Sequence, residues 1–232
     1  MNFARVDEIM RQAVLNHAFP AAALLVGQRE KVLFRRAYGR LGYGEQEPAT
    51  TEQTRFDIAS LTKPLVVGTL ALRAIESGKL CLWDKLGTFV DAPEDKRDIT
   101  IRQLLTHTAG FPGGLHLWRM AEDPARATEL LLGAKLQTPP GTRVRYCCAG
   151  FLLLGQLLEC IYGQPLHDLA LSEVFWPLKM TRTGYLPTGE NIAPTELQAD
   201  GTLLRGVVHD ENARFLGGVA GNAGVFSTVD DL

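Results

Sequence analysis

The sequence predicts an α+β fold: an antiparallel hairpin followed by a largely helical middle region. Two β-type runs stand early in the chain, Ala21 to Val26 and Val32 to Ala37. Apolar residues at helical spacing then dominate from Ser60 to about residue 180, and a glycine- and proline-rich return closes the chain. No linker or repeat divides the 232 residues, which read as one domain. Its parts are a helix and hairpin (1–58), a mostly helical region (59–180) and a loop-rich return (181–232). At 46% hydrophobic and 22% charged, the composition excludes a disordered chain. A net charge of −2 offers no basic surface for nucleic acid.

Phe3, Val6, Met10, Ala13 and Val14 recur at helical spacing, so an amphipathic helix opens the chain. The two β runs flank a Gln28-Arg29-Glu30 turn, and Gly39, Gly42 and Gly44 end the hairpin. A helix begins at Ser60 and buries Val66, Val67, Leu70, Ala71 and Ala74, with Gly78 as its stop. Further helices are expected at 100–106, at 124–132 behind an Asp123 cap, at 149–162 and at 166–175. The Pro139-Pro140-Gly141-Thr142 turn leads into a short extended piece ending at Tyr146. Trp83, Trp118 and Trp176 are expected as core or contact residues rather than a stacking platform.

No apolar stretch approaches the length of a membrane span, and the N-terminus has no basic-then-apolar leader pattern. The expected location is the cytoplasm, unless an export signal is absent from this chain. Cys81, Cys147, Cys148 and Cys160 form no C-x-x-C pair, so reduced thiols are expected. His209-Asp210-Glu211 has no second histidine four residues on; a loop-anchoring role is expected, with no metal and no cofactor.

Chemistry concentrates at Ser60 and Lys63. With four serines and seven lysines in the chain, chance would supply only about 0.12 S-x-x-K pairs. If Ser60 opens a helix, Lys63 lies one turn along on the same face. A serine hydroxyl becomes a useful nucleophile when a neighbouring base takes its proton. The helix start adds N–H groups for an oxyanion forming beside Ser60. The competing reading is a solvent-facing Ser and Lys at a helix start.

The run Phe56-Asp57-Ile58-Ala59-Ser60-Leu61-Thr62-Lys63 resembles the nucleophile segment of the class C β-lactamase-like serine hydrolases. That family also includes D,D-peptidases, D-aminopeptidases and esterases. Leu104-Leu105-Thr106-His107-Thr108-Ala109-Gly110 resembles its L-L-x-H-T-S-G helix end. Pro140-Gly141-Thr142 through Tyr146, and Pro177-Leu178-Lys179-Met180, resemble two later blocks in the same order. His209 to Ala213 and Gly217 to Gly221 resemble a segment of a penicillin-binding-protein-like subgroup.

The resemblance implies a β-lactamase/transpeptidase-like fold, with an antiparallel sheet flanked by helices. It implies an acyl-enzyme on Ser60, Lys63 as base partner and Tyr146 as proton relay to the leaving group. The substrate would be a small molecule or peptide: a β-lactam, a D-Ala-D-Ala-type peptide or a small ester. Cys148 stands where the family has the Asn or Asp that helps to hold lysine and substrate; a thiol is a weaker hydrogen-bonding group. Asn222-Ala223-Gly224 is the local echo of a third motif, K-T-G or H-x-G, making Asn222 a substrate-binding candidate. In the family that motif lies on a strand further downstream than Leu232. The chain is therefore expected to be truncated relative to the family, without the later strands. The hairpin would then show an unpaired edge and an uncovered apolar face, and self-association through that edge is expected. The alternative is a silent or incomplete member acting as a binding protein. His107 is expected to cap or pack.

Overall fold

The computed structural model describes residues 2–232. Helix α1 (Ala4–Leu15) leads into an antiparallel hairpin of β1 (Ala21–Gln28) and β2 (Lys31–Gly39). Asp7 of α1 accepts bonds from Tyr38 Oη at 2.9 Å and Arg36 Nη1 at 2.6 Å, while Phe3 stacks on Phe34. The expected bare hairpin face is thus corrected in part, because α1 lies along β2. Among the described residues β1 pairs only with β2.

A second sheet eluded the sequence pattern. Strands β3 (Phe56–Asp57), β4 (Gly184–Tyr185) and β7 (Val225–Ser227) pair antiparallel in the order β3-β7-β4. A small ribbon of β5 (Glu196–Leu197) and β6 (Leu203–Leu204) completes the strands. The glycine-rich return is largely irregular in backbone, yet residues 220–228 are all buried and form a spine that includes β7.

The helical region follows the apolar pattern. Helix α2 (Thr69–Glu76) buries Leu70, Ala71 and Ala74 and ends at Gly78, whose φ of +71° suits glycine. Helix α3 (Ile101–Leu105) starts at a capping box in which Thr100 and Gln103 bond each other's backbone. A short α4 (Leu117–Met120) precedes a 3-10 turn at Pro124–Arg126, capped by Asp123, and α5 (Ala127–Gly133). Helix α6 (Ala149–Tyr162) is apolar on nearly every side and is correspondingly central. Its Phe151, Leu152, Leu153, Leu154, Leu157 and Leu158 are all buried, each contributing roughly 1.5–3 kcal/mol. Helix α7 (Leu166–Ala170) widens into a π turn at Leu171–Phe175, and α8 (Glu211–Phe215) precedes the spine.

The tryptophan expectation is corrected. Trp83 and Trp176 are exposed, and Trp118 lies at the margin of exposure. Arg102 sits over the Trp83 ring and Arg119 over the Trp118 ring, so these indoles pack cations at the surface. The longest helix has 14 residues, and no described helix is long and apolar enough to cross a membrane.

Candidate active site

The segment carrying Ser60 is not the regular helix that its apolar spacing suggests. Ala59–Leu61 form a 3-10 turn and Lys63–Gly68 a π-helical turn, and only from Thr69 is the helix regular. Ala59 has φ of +46°, a left-handed conformation that costs a residue with a Cβ on the order of 1–3 kcal/mol. The turn is held from both sides. Asp57 Oδ1 accepts the Ala59 N–H and its Oδ2 accepts the His209 N–H, each at 2.8 Å. Ile58 N donates to Val225 O at 3.0 Å, and Thr62 Oγ1 accepts the Val225 N–H at 3.3 Å.

Ser60 is exposed, whereas Lys63 is 2% exposed. The Lys63 Nζ donates to Ser60 Oγ at 2.9 Å and to the Asn222 backbone carbonyl at 2.9 Å. It lies 5.0 Å from the centre of the Tyr146 ring. No carboxylate pairs with it among the described residues. Ser60, Lys63 and Tyr146 line one cavity of about 560 Å³ with His107 and the apolar side chains of Ile58, Leu61, Pro64, Leu105 and Phe151. Of the sequence-derived candidates, these three are brought together.

Two candidates stand elsewhere. The Asn222 side chain is wholly buried and its Nδ2 donates to Asp210 Oδ1 at 2.9 Å, so the expectation of a substrate-binding side chain is corrected. Its backbone carbonyl supplies the contact to Lys63 instead. Asp210 also caps α8 through the Ala213 N–H, which fits the anchoring role expected for that loop. Cys148 is half-buried at the N-cap of α6, packed against the core, and is not among the residues lining the cavity. Its neighbour Cys147 is buried, and that burial pushes its thiol pKa up.

His107, expected to cap or pack, also lines the cavity. Its ring centre lies 4.6 Å from that of Tyr146 and 5.0 Å from that of Phe151. Burial, then the Lys63 charge, hold its pKa below the ordinary imidazole value. The contact that a sequence pattern has least means of revealing is the Asn222 carbonyl, because a backbone oxygen carries no residue signature.

The comparison that decides the family is a β-lactamase model matching residues 6–232, nearly the whole chain. The chain belongs to the β-lactamase family. A protein of Escherichia coli K12 named "Putative D-alanyl-D-alanine carboxypeptidase" is 29% identical over 253 residues, covering 92% of this chain and 58% of that protein. The chain thus spans about three-fifths of the length of such β-lactamase-family relatives. EstCE1, described as a hydrolase with promiscuous acyltransferase activity, superposes with a TM-score of 0.76 at 27% identity, covering 98% of this chain and 69% of its own. The octameric penicillin-binding protein homologue from Pyrococcus abyssi superposes with a TM-score of 0.83 over 100% of this chain and 55% of its own. At 20% identity that likeness establishes the β-lactamase/transpeptidase-like fold.

Proposed function

We propose that this β-lactamase-family chain is a serine hydrolase that cleaves amide or ester bonds through an acyl-enzyme on Ser60. The observation that carries the reading is the 2.9 Å contact between Lys63 Nζ and an exposed Ser60 Oγ at the mouth of a cavity. In the reacting form the Lys63 amine takes the Oγ proton as Oγ attacks the substrate carbonyl carbon. The tetrahedral oxyanion forms beside the start of the 3-10 turn. There the Ala59 and Leu61 N–H groups are already taken by Asp57 and Ile58, while the Ser60 N–H has no protein acceptor among the described residues. Collapse expels the amine or alcohol, which Tyr146 and Lys63 protonate as a coupled pair. Water then attacks the acyl ester, the same pair removes its proton, and the acid leaves with Ser60 restored.

The substrate classes are a β-lactam, a D-Ala-D-Ala-type peptide or a small ester. The E. coli relative's name points to the peptide, and the EstCE1 likeness to acyl esters. Turnover of p-nitrophenyl acetate, a chromogenic cephalosporin and a D-Ala-D-Ala peptide by the wild type, Ser60→Ala and Tyr146→Phe tests the reading. Turnover of at least one that Ser60→Ala abolishes supports it. Turnover unaffected by Ser60→Ala, or none by a folded wild type, overturns it.

A further inference from the structure

Tyr146 sits on an exposed, irregular stretch with no helix or strand of its own to fix it. One residue grips the chain on both sides of it. The His107 carbonyl accepts the Arg145 N–H at 2.8 Å, and the His107 Nδ1 accepts the Cys147 N–H at 3.3 Å. Between those bonds the imidazole lies against the Tyr146 ring. His107 itself has φ of +56°, a left-handed conformation uncommon for a residue with a Cβ. Such outliers persist where the surroundings over-determine them, and they cluster at functional sites.

We propose that His107 is the positioning residue for Tyr146, its carbonyl and neutral imidazole clamping the backbone either side of the tyrosine. The inference rests on the proposed role of Tyr146 for its consequence in catalysis, but not for the clamp itself. The Nδ1 can accept the Cys147 N–H only while it carries no proton. Protonation turns the acceptor into a donor facing a donor, so acid opens one side of the clamp and frees Tyr146. The titratable groups facing His107 are Lys63, Tyr146 and Cys147; Phe151 adds only an apolar face. The Lys63 charge opposes a proton on His107, and the buried Cys147 thiol remains uncharged near neutral pH. The clamp therefore holds at neutral pH and yields below the ordinary imidazole value of 6.5.

The test uses His107→Asn, whose Oδ1 keeps an acceptor near the Nδ1 position and whose residue type tolerates positive φ, beside His107→Phe, which keeps a ring and loses the acceptor. Two readouts are followed from pH 5 to 8: amide hydrogen-exchange protection at Cys147 and Arg145, and the rate of Ser60 modification by a fluorophosphonate. The wild type should lose Cys147 protection and modification rate together on the acid side. His107→Asn should keep Cys147 protection across the range, and its modification rate should fall less on the acid side than that of the wild type. His107→Phe should show Cys147 protection about tenfold below that of the wild type at neutral pH, with no further loss in acid, while Arg145 stays protected. An acid limb in His107→Asn identical to that of the wild type, or Cys147 protection unchanged in His107→Phe, overturns the proposal. If a folded wild type is not modified at Ser60, the hydrolase reading fails. Cys147 protection in the wild type and His107→Asn then decides the clamp alone.

Discussion

Lys63 and Asn222 meet across 159 positions of sequence: the lysine Nζ donates to the asparagine carbonyl at 2.9 Å while holding Ser60 Oγ at the same distance. The buried spine thereby holds the Lys63 amine beside the Ser60 hydroxyl. Both acceptors are neutral, so the Lys63 side chain is buried without an opposite charge. Burying a basic amine without an opposite charge costs stability.

Lys63→Met should therefore separate stability from chemistry. Methionine fills similar volume and removes the desolvation cost, which offsets the lost bond to the buried Asn222 carbonyl, so the Tm should stay within a few degrees. The rate of Ser60 modification should fall by about 10²–10⁴, the usual contribution of a general base. Thermal denaturation and labelling kinetics on one sample check both. A Tm loss of more than 5 °C, or labelling within a factor of three of the wild type, would contradict this.

Helix α6 approaches the spine through two glycines. A Cβ on Gly155 would lie 3.1 Å from Gly221 Cα, and a Cβ on Gly221 would run into the Phe151 carbonyl oxygen. Gly221→Ala should cost about 1–3 kcal/mol or more, because backbone rather than a flexible side chain must give way. That is a Tm drop of roughly 2–12 °C for a chain this long. Gly133→Ala, with nothing within 4 Å, is the control and should leave the Tm level or slightly raised.

Asp210 joins the α8 cap to Asn222 through one oxygen. Asp210→Ala removes a cap worth about 0.5–2 kcal/mol and leaves the buried Asn222 amide unsatisfied at about 1–3 kcal/mol. Denaturant titration should show most of that sum, and Ser60 labelling should slow as the Lys63 support loosens. Asp210→Asn keeps an acceptor and should recover most of both. Equal losses in the two variants would rule out this role.

The joint between α1 and β2 should weaken at both ends of the pH scale. Burial works against the charged form of Asp7, but the bonds from Tyr38, Arg11 and Arg36 outweigh it and hold its pKa below 3.8. That stabilisation is present above 3.8 and is lost as pH falls through the lower folded value. Burial, then the Asp7 bond, pushes Tyr38 up to about 12. The unfolded phenol ionises near 10 while the folded one resists, so stability falls between about 10 and 12. Denaturant titration across pH should show both slopes. Asp7→Asn should flatten the acid one, and an unchanged acid slope in that variant would refute the assignment.

Much of the helical frame was legible because its signals are local. The apolar run from Ala149 to Tyr162, Gly78 after Ala74, and Asp123 before Pro124 each act within a turn or two of chain. The S-x-x-K spacing placed Ser60 and Lys63 together for the same reason. The sheet β3-β7-β4 was hidden because strands of two or three residues show no alternation, and their partners lie up to 171 residues apart. The irregular Ser60 turn escaped because its shape is imposed by Asp57, Val225 and His209 from outside the helix pattern. For Asn222 the sequence points to a substrate-binding side chain, whereas the structure buries that side chain against Asp210 and turns its carbonyl to Lys63.

The most direct measurement is the mass of the intact protein after incubation with a fluorophosphonate, followed by mapping of the modified peptide. A single adduct on Ser60, absent from Ser60→Ala and strongly slowed in Lys63→Met, is the expected result. No adduct on a folded sample, or an adduct that persists in Ser60→Ala, would contradict the assignment of Ser60 as an activated nucleophile.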